Sequence, residues 1–439
     1  MSVMSRPREI ARQTPDDRLR SIDFIRIASM LVVVFGHWLM ALVWINTLGE
    51  AEFGDALAES RILQYVTWIL QVMPLFFLAG GFSNARSISA ANRAGTPRRE
   101  WLASRAQRLI TPTLPVIAVW SLGVFALGRF IDPGMLRVGT IAATIPMWFL
   151  AVYLMAVVAA PFTFAAWERW GFKSVAFGVG LAIVIDVLRI GFDVPYVGYL
   201  NFLVVWLTIH QLGHGWDRRP KPRTGWLIAA GGLGLLVLLT QVGPYSVAMV
   251  GVDGAREMSN NSPPTVALLA LAMFQAGWLA GMTPTLERWL KKETPWSVVI
   301  LANGFTMSVY LWHMTAMVLL VLVSLSFAQG LLKAVPLSAE WWATRPIWIA
   351  ILIVITLPLV LLFRRFEHRS ARQVSRHPVA LGFGIAIFAM ALAATVTLGL
   401  SNAEGATRLW IPLSAFVGAV LAGVLEIKPK SKATQPRSG

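Results

Sequence analysis

The fold is decided by the stretch Arg20-Ser-Ile-Asp23-Phe-Ile-Arg26-Ile-Ala-Ser-Met-Leu-Val-Val-Val-Phe-Gly-His37-Trp-Leu-Met40. It is long and apolar enough to cross a membrane as a helix, yet it contains Asp23, Arg26 and His37. Charge and polarity in hydrocarbon are costly, so these three residues require a reason. Arg26 and His37 are eleven positions apart, which at 100° per residue is three turns plus about 20°. They share one helix face, roughly 16–17 Å apart along the axis. Asp23 lies about 40° to the other side of His37 and joins the same stripe. One helix therefore carries a charged pair near its entrance and an imidazole deep inside.

The rest of the chain supplies a frame of similar segments. Of 439 residues, 56% are hydrophobic and only 14% charged, against about 25% charged in soluble domains. Nineteen Trp and 23 Phe lie in long apolar runs, the mark of an integral membrane protein. The absence of cysteine excludes disulfides, Fe–S clusters, thiol nucleophiles and thiolate zinc sites. The first apolar run is too long for a signal-peptide core and has no clear small-residue cleavage site, so it is expected to be a retained anchor.

Twelve spans are expected, near 22–45, 62–82, 110–128, 144–166, 174–190, 196–214, 225–242, 265–282, 298–327, 346–363, 379–399 and 409–427. Backbone polar groups exposed to lipid must be satisfied within the segment, so the spans are helices and the fold class is an all-α polytopic membrane helix bundle. Pro74, Pro112, Pro115, Pro146 and Pro358 predict kinks. The N-terminal segment, the even-numbered loops and the C-terminal tail hold 29 of the 38 Lys and Arg, and the odd-numbered loops hold eight. The positive-inside rule then puts both termini in the cytoplasm. The net charge of +16 thus reports topology and contact with anionic membrane lipids, with no need for nucleic acid. No internal repeat and no inverted pair of broken helices is evident.

Several residues are candidates for chemistry. A lone intramembrane His often only packs and bonds a carbonyl; His37 shares its stripe with Arg26 and Asp23, and a neutral imidazole can take a proton from a hydroxyl and return it. Asp23 and Arg26 are spaced to pair, although a snorkelling Arg at a helix entrance is common. The second loop holds Arg98, Arg99, Arg105 and Arg108, the last two on one face of a helix entering the third span. Guanidinium groups there suit a phosphate-bearing ligand, and they also fit an ordinary positive-inside cluster. Tyr310-Leu-Trp-His313 offers a second intramembrane His, while Trp148 reads first as an interface anchor. His210 and His214 are at i, i+4, but Gln211 stands where a zinc protease motif has Glu and no third ligand is evident, so no metal is expected. Asp186 and Arg189 form another i, i+3 pair of structural character.

Taken together these motifs resemble the acyltransferase-3 family of integral-membrane acyltransferases. Leu19-Arg-Ser-Ile-Asp-Phe-Ile-Arg26 with His37 is similar to its opening signature. Met73-Pro-Leu-Phe-Phe-Leu-Ala-Gly-Gly-Phe-Ser-Asn, Arg105-x-x-Arg108-Leu-x-x-Pro112, Trp148-Phe-Leu, Ser308-Val-Tyr-Leu-Trp-His313 and Phe366-Glu367 follow in order. The resemblance implies a ten-helix domain over 19–370, after a tail at 1–18 and before two additional helices at 371–428 and a basic tail at 429–439. It implies transfer of an acyl group, acetyl or another short one, from cytoplasmic acyl-CoA to a hydroxyl of an envelope carbohydrate or glycolipid. His37 and Arg26 would be the essential first-helix pair, and Arg105 and Arg108, flanked by Arg98 and Arg99, would bind the coenzyme. Asp23 would shape the entrance with Arg26, and Tyr310 or His313 would support the oxyanion. The family's frequent fused outer domain is missing from this sequence. The rival class is a proton-coupled transporter or flippase of a lipid-linked sugar, with His37, Asp186 and His313 as a proton relay. The oligomeric state is not legible.

Overall fold

The computed structural model describes residues 4–251, 259–367 and 377–425. Its elements, in chain order, are α1 (Ser5–Arg12), α2 (Arg20–Met40), β1 (Ala41–Ile45), β2 (Ala51–Asp55), α3 (Ala56–Glu59), α4 (Arg61–Leu70), α5 (Met73–Arg93), α6 (Arg98–Leu127), α7 (Pro133–Thr144) and α8 (Met147–Trp170). There follow α9 (Phe172–Asp186), α10 (Asn201–His214), α11 (Pro222–Gln241), α12 (Val266–Leu290), α13 (Glu293–Asn303), α14 (Thr306–Phe327), α15 (Ala339–Phe363), α16 (Pro378–Leu398) and α17 (Trp410–Leu421). Among the described residues, ten helical segments are long and apolar enough to cross a membrane. The chain is an all-α, multi-pass integral membrane protein.

The expected count of twelve spans reduces to ten plus two short helices. The chain enters α10 from a left-handed residue, Tyr196, and a tight turn at Val197–Leu200, and leaves it at Gly215. Fourteen residues rise only about 21 Å, short of the ~30 Å hydrocarbon layer. Most of α10 is wrapped by protein: Asn201, Trp206, Thr208, His210 and Gln211 are all buried. The other short helix, α17, stops at Leu421 because Gly423 turns left-handed and Val424 N–H bonds back to the Ala419 carbonyl.

Other boundaries also moved. The first span ends at Met40, and Ala41–Ile45 pairs antiparallel with Ala51–Asp55, a hairpin closed by Asn46, whose side chain accepts the Leu48 and Glu50 N–H groups. The second span breaks at Gln71–Val72, and Pro74 opens α5 rather than kinking a helix. Pro146 likewise sits at the start of α8, while Pro112, Pro115 and Pro358 are inside helices. The ninth span is two helices, α13 and α14, parted at Gly304–Phe305. The N-terminal segment, expected to be a tail, forms α1 and docks: Ala11 is buried, Arg12 pairs with Glu293 at 3.2 Å, and Trp296 Nε1 donates to Thr14 Oγ1 at 2.8 Å. The junction expected at 370–371 and the basic tail expected at 429–439 lie outside the described residues.

Loops gather at two ends of the bundle. At one end Arg20 donates to the Leu290 carbonyl, Ser21 N–H to Glu287, and Arg86 stands 3.7 Å from both Asp17 and Asp217. At the other, Trp68 Nε1 donates to the Val247 carbonyl and Gln71 Nε2 to the Met249 carbonyl, which pins the loop after α11 onto the α4–α5 break. Within the bundle α5 and α10 cross almost in backbone contact. A Cβ on Gly81 would strike the His210 carbonyl, and one on Gly213 the Leu78 carbonyl. This crossing keeps the α5 and α10 side chains close around the interior.

Candidate active site

Two cavities lie along α2, one at Arg26 and one at His37. His37 lines a cavity of about 300 Å³ with Gln71, Trp148, Phe149, Asn261 and Tyr310, the remainder of its wall being largely aliphatic. Arg26 lines a second cavity of about 680 Å³ with Asn84, Arg105, Arg108, Tyr153 and Glu367. Both volumes fall at or near the range of ligand pockets.

The His37 ring is held by a chain of hydrogen bonds that fixes its tautomer. His313 Nδ1 is 2.7 Å from the Tyr310 carbonyl, an acceptor only, so His313 carries its proton on Nδ1. Its Nε2 is then a bare acceptor, 2.9 Å from His37 Nδ1, which must donate. A neutral His37 is therefore left with an unprotonated Nε2 that makes no hydrogen bond among the described residues. The rings lie parallel, with centroids 5.2 Å apart. Trp38 Nε1 donates to the His313 carbonyl at 3.0 Å and ties α2 to α14 at this level. His313 is fully buried.

This arrangement gives His313 a different task from the oxyanion support expected of it. Both of its nitrogens are engaged, and the Tyr310 hydroxyl donates to the Pro146 carbonyl at 2.6 Å. Neither side chain has a free N–H or O–H to offer a substrate oxygen. Tyr310 instead anchors α14 to the start of α8.

The larger cavity gathers three guanidinium groups. Arg105 and Arg108 come one turn apart on α6, Arg26 comes from α2, and all three line it. Arg98 and Arg99, about two to three turns nearer the helix start, do not. Asp23 is not in the lining either. Its carboxylate is 2.9 Å from Arg18 and 3.9 Å from Arg26, so the closer partner is Arg18, two residues ahead of the helix. Opposite the arginines, Glu367 accepts the Met307 N–H at 3.1 Å and the Ser308 hydroxyl at 2.7 Å, capping the first turn of α14. That turn sits five to six residues before His313 on the same helix, so Glu367 helps set the height of the imidazole.

An aromatic layer separates the cavities. Phe149, which lines the His37 cavity, packs edge-on against Tyr310 at 5.6 Å and stacks on Tyr153 of the other cavity at 5.4 Å.

The remaining candidates hold the frame together. His214 Nδ1 is 3.1 Å from the Gly81 carbonyl and its Nε2 3.0 Å from Thr163 Oγ1, while Gln211 reaches the Thr163 carbonyl and Ser174. Among the described residues no group of three or more His, Cys, Asp or Glu is placed to hold a metal ion. Asp186 accepts from Asn201, the Tyr245 hydroxyl and the Val266 N–H, and so joins α9, α10 and α12. Sequence reasoning missed Asn84, Tyr153, Gln71 and Asn261. Asn84 closes the Met73–Asn84 motif and Tyr153 follows Trp148-Phe-Leu on α8, but no spacing in the chain points to the convergence of these four residues.

No curated protein and no solved structure matches the chain significantly. A family model described as an acyltransferase domain matches residues 19–365, which holds α2 through α15 and every residue of both cavities except Glu367. The chain belongs to the acyltransferase-3 family.

Proposed function

We propose that this membrane acyltransferase takes an acyl group, acetyl or another short one, from acyl-CoA and transfers it to a hydroxyl of an envelope carbohydrate or glycolipid. The observation that carries the reading is the bare Nε2 of His37, held as a base by His313 at the wall of a cavity. Arg26, Arg105 and Arg108 in the neighbouring cavity suit the phosphates of the coenzyme, since charge-assisted bonds to guanidinium are among the strongest available. The roughly 16–17 Å between Arg26 and His37 matches a donor whose phosphates and reactive carbon are far apart.

In this mechanism His37 Nε2 removes the proton of the acceptor hydroxyl as its oxygen attacks the thioester carbonyl. The His37 imidazolium that forms keeps its Nδ1–H on His313 Nε2. The tetrahedral intermediate collapses with cleavage of the carbon–sulfur bond. The proton held by His37 passes to the sulfur, so the products are an ester and the free coenzyme thiol, with no net proton gained or lost.

Binding of coenzyme A to the purified protein in nanodiscs tests the donor assignment. Removing both Arg105 and Arg108 should weaken it by about 3–6 kcal/mol, from ~1.5–3 kcal/mol per charge-assisted contact. Unchanged binding in the folded double variant would remove the donor site from this cavity.

A further inference from the structure

The polar group formed by Asn84, Tyr153 and His210 has no part in the chemistry just described. Asn84 on α5 is buried, and its side-chain amide nitrogen is 3.1 Å from Nε2 of the fully buried His210 on α10. The Tyr153 ring on α8 packs edge-on against the His210 ring at 6.4 Å, and its hydroxyl lies within electrostatic reach of Arg26 and Arg105. Three helices thus converge on one carboxamide and one phenol, and both of these line the arginine cavity. The phenol fits only because residue 80 is glycine. A Cβ there would stand 2.7 Å from the Tyr153 oxygen and from its ring edge.

The position of this group along the bundle gives it meaning. Tyr153 is one turn from Phe149, the ring that faces the His37 cavity. Asn84 and Tyr153 therefore stand between the arginines and the aromatic layer. A donor with its phosphates on the arginines and its thioester at His37 must lay its connecting arm across them. In a coenzyme-A thioester that arm contains two secondary amides. An Asn carboxamide and a Tyr hydroxyl each donate and accept, as an amide requires, and Asn84, bonded once to His210, keeps hydrogen-bonding capacity in reserve.

We propose that Asn84 and Tyr153 form a subsite for the amides of the pantetheine arm, with His210 as a positioning residue that orients the Asn84 carboxamide. The proposal rests on the donor reading above. The His210 contact matters because an Asn side chain free to rotate would offer the arm either face, at an entropic cost on binding. It also gives the buried imidazole outside the reaction centre a task at the donor.

Calorimetry on the full-length protein in nanodiscs tests this with three probes: coenzyme A, adenosine 3′,5′-bisphosphate and pantetheine. Tyr153→Phe and Asn84→Ala should each weaken coenzyme A and pantetheine about 3- to 10-fold, the size of one neutral hydrogen bond, and leave the bisphosphate unchanged. Gly80→Ala, which displaces the phenol, should reproduce the Tyr153→Phe pattern. His210→Ala should show the same selectivity, with His210→Gln restoring part of the loss. Coenzyme A affinity that depends on Arg105 and Arg108 but not on Tyr153 or Asn84 would overturn the subsite and leave the donor cavity standing. Equal loss of all three probes would overturn it in favour of a purely structural network. If the wild-type protein bound none of them, the donor reading would fall and the subsite with it.

Discussion

His313→Leu separates the base from its support. The substitution keeps the Trp38 bond, because the acceptor there is a backbone carbonyl. It removes the bond between His37 Nδ1 and His313 Nε2 at 2.9 Å. His37 Nδ1–H then faces a leucine. An N–H buried without a partner costs about 1–3 kcal/mol, and the neutral ring escapes that cost by moving its proton to Nε2. Only the Nδ1–H tautomer has a bare Nε2 for the acceptor hydroxyl, so turnover should fall by about 5- to 150-fold, one decade per 1.4 kcal/mol. His37→Ala removes the base itself and should cost about 10²- to 10⁴-fold. Because the two act as one unit, His37→Ala with His313→Leu should be no slower than His37→Ala alone. Release of coenzyme thiol is the assay, and with no cysteine in the chain every thiol detected is product. Full turnover in His313→Leu, or losses that multiply in the double variant, would refute the support that His313 gives to the base.

Three further outcomes follow from the same geometry. In the cysteine-free chain, single cysteines at Gly95 and at Leu48, on the turns after α5 and β1, should react with an impermeant maleimide from opposite faces of the membrane; labelling from one face would overturn the topology. Phe388 of α16 is fully buried in the main core, so Phe388→Ala should lower the thermal midpoint measurably while coenzyme A affinity persists in the folded fraction. Tyr245, on the loop after α11, donates to Asp186, and burial first and the Asp186 charge second raise its phenol above the ordinary value of 10. Above pH 10 the unfolded chain therefore releases this proton while the folded chain retains it, so stability falls as pH rises, and Tyr245→Phe should flatten that alkaline loss in melting curves.

Much of the frame could be read from the chain because lipid imposes a local rule. Each span must satisfy its own backbone, so a run of apolar residues reports a helix without reference to its neighbours. The stripe of Arg26 and His37 was legible for the same reason, since helical periodicity relates residues within one element. The exceptions are informative. The first hairpin strand, Ala41–Ile45, is as apolar as the helix before it, and hydropathy does not distinguish the two. The short helix Asn201–His214 is apolar along with the turn leading into it, and its shortness is tolerated by the proteins' own helices packed around it. The site itself was legible by half. His37 and His313 were each picked out as costly residues in hydrocarbon, but their 2.9 Å contact joins positions 276 residues apart. The Asn84–Tyr153–His210 group depends on three helix crossings, one of them set by Gly81 and Gly213. No periodicity in a single sequence encodes such crossings.

In the proposed function His37 transfers an acyl group delivered by coenzyme A. Mass spectrometry of envelope lipids and glycans tests it directly, comparing cells that carry the wild-type protein with cells that carry His37→Ala at equal membrane abundance. A species heavier by one acyl group is expected with the wild-type protein and absent with His37→Ala, even though the purified variant still binds coenzyme A. The same acylated species at the same level in both strains would contradict it.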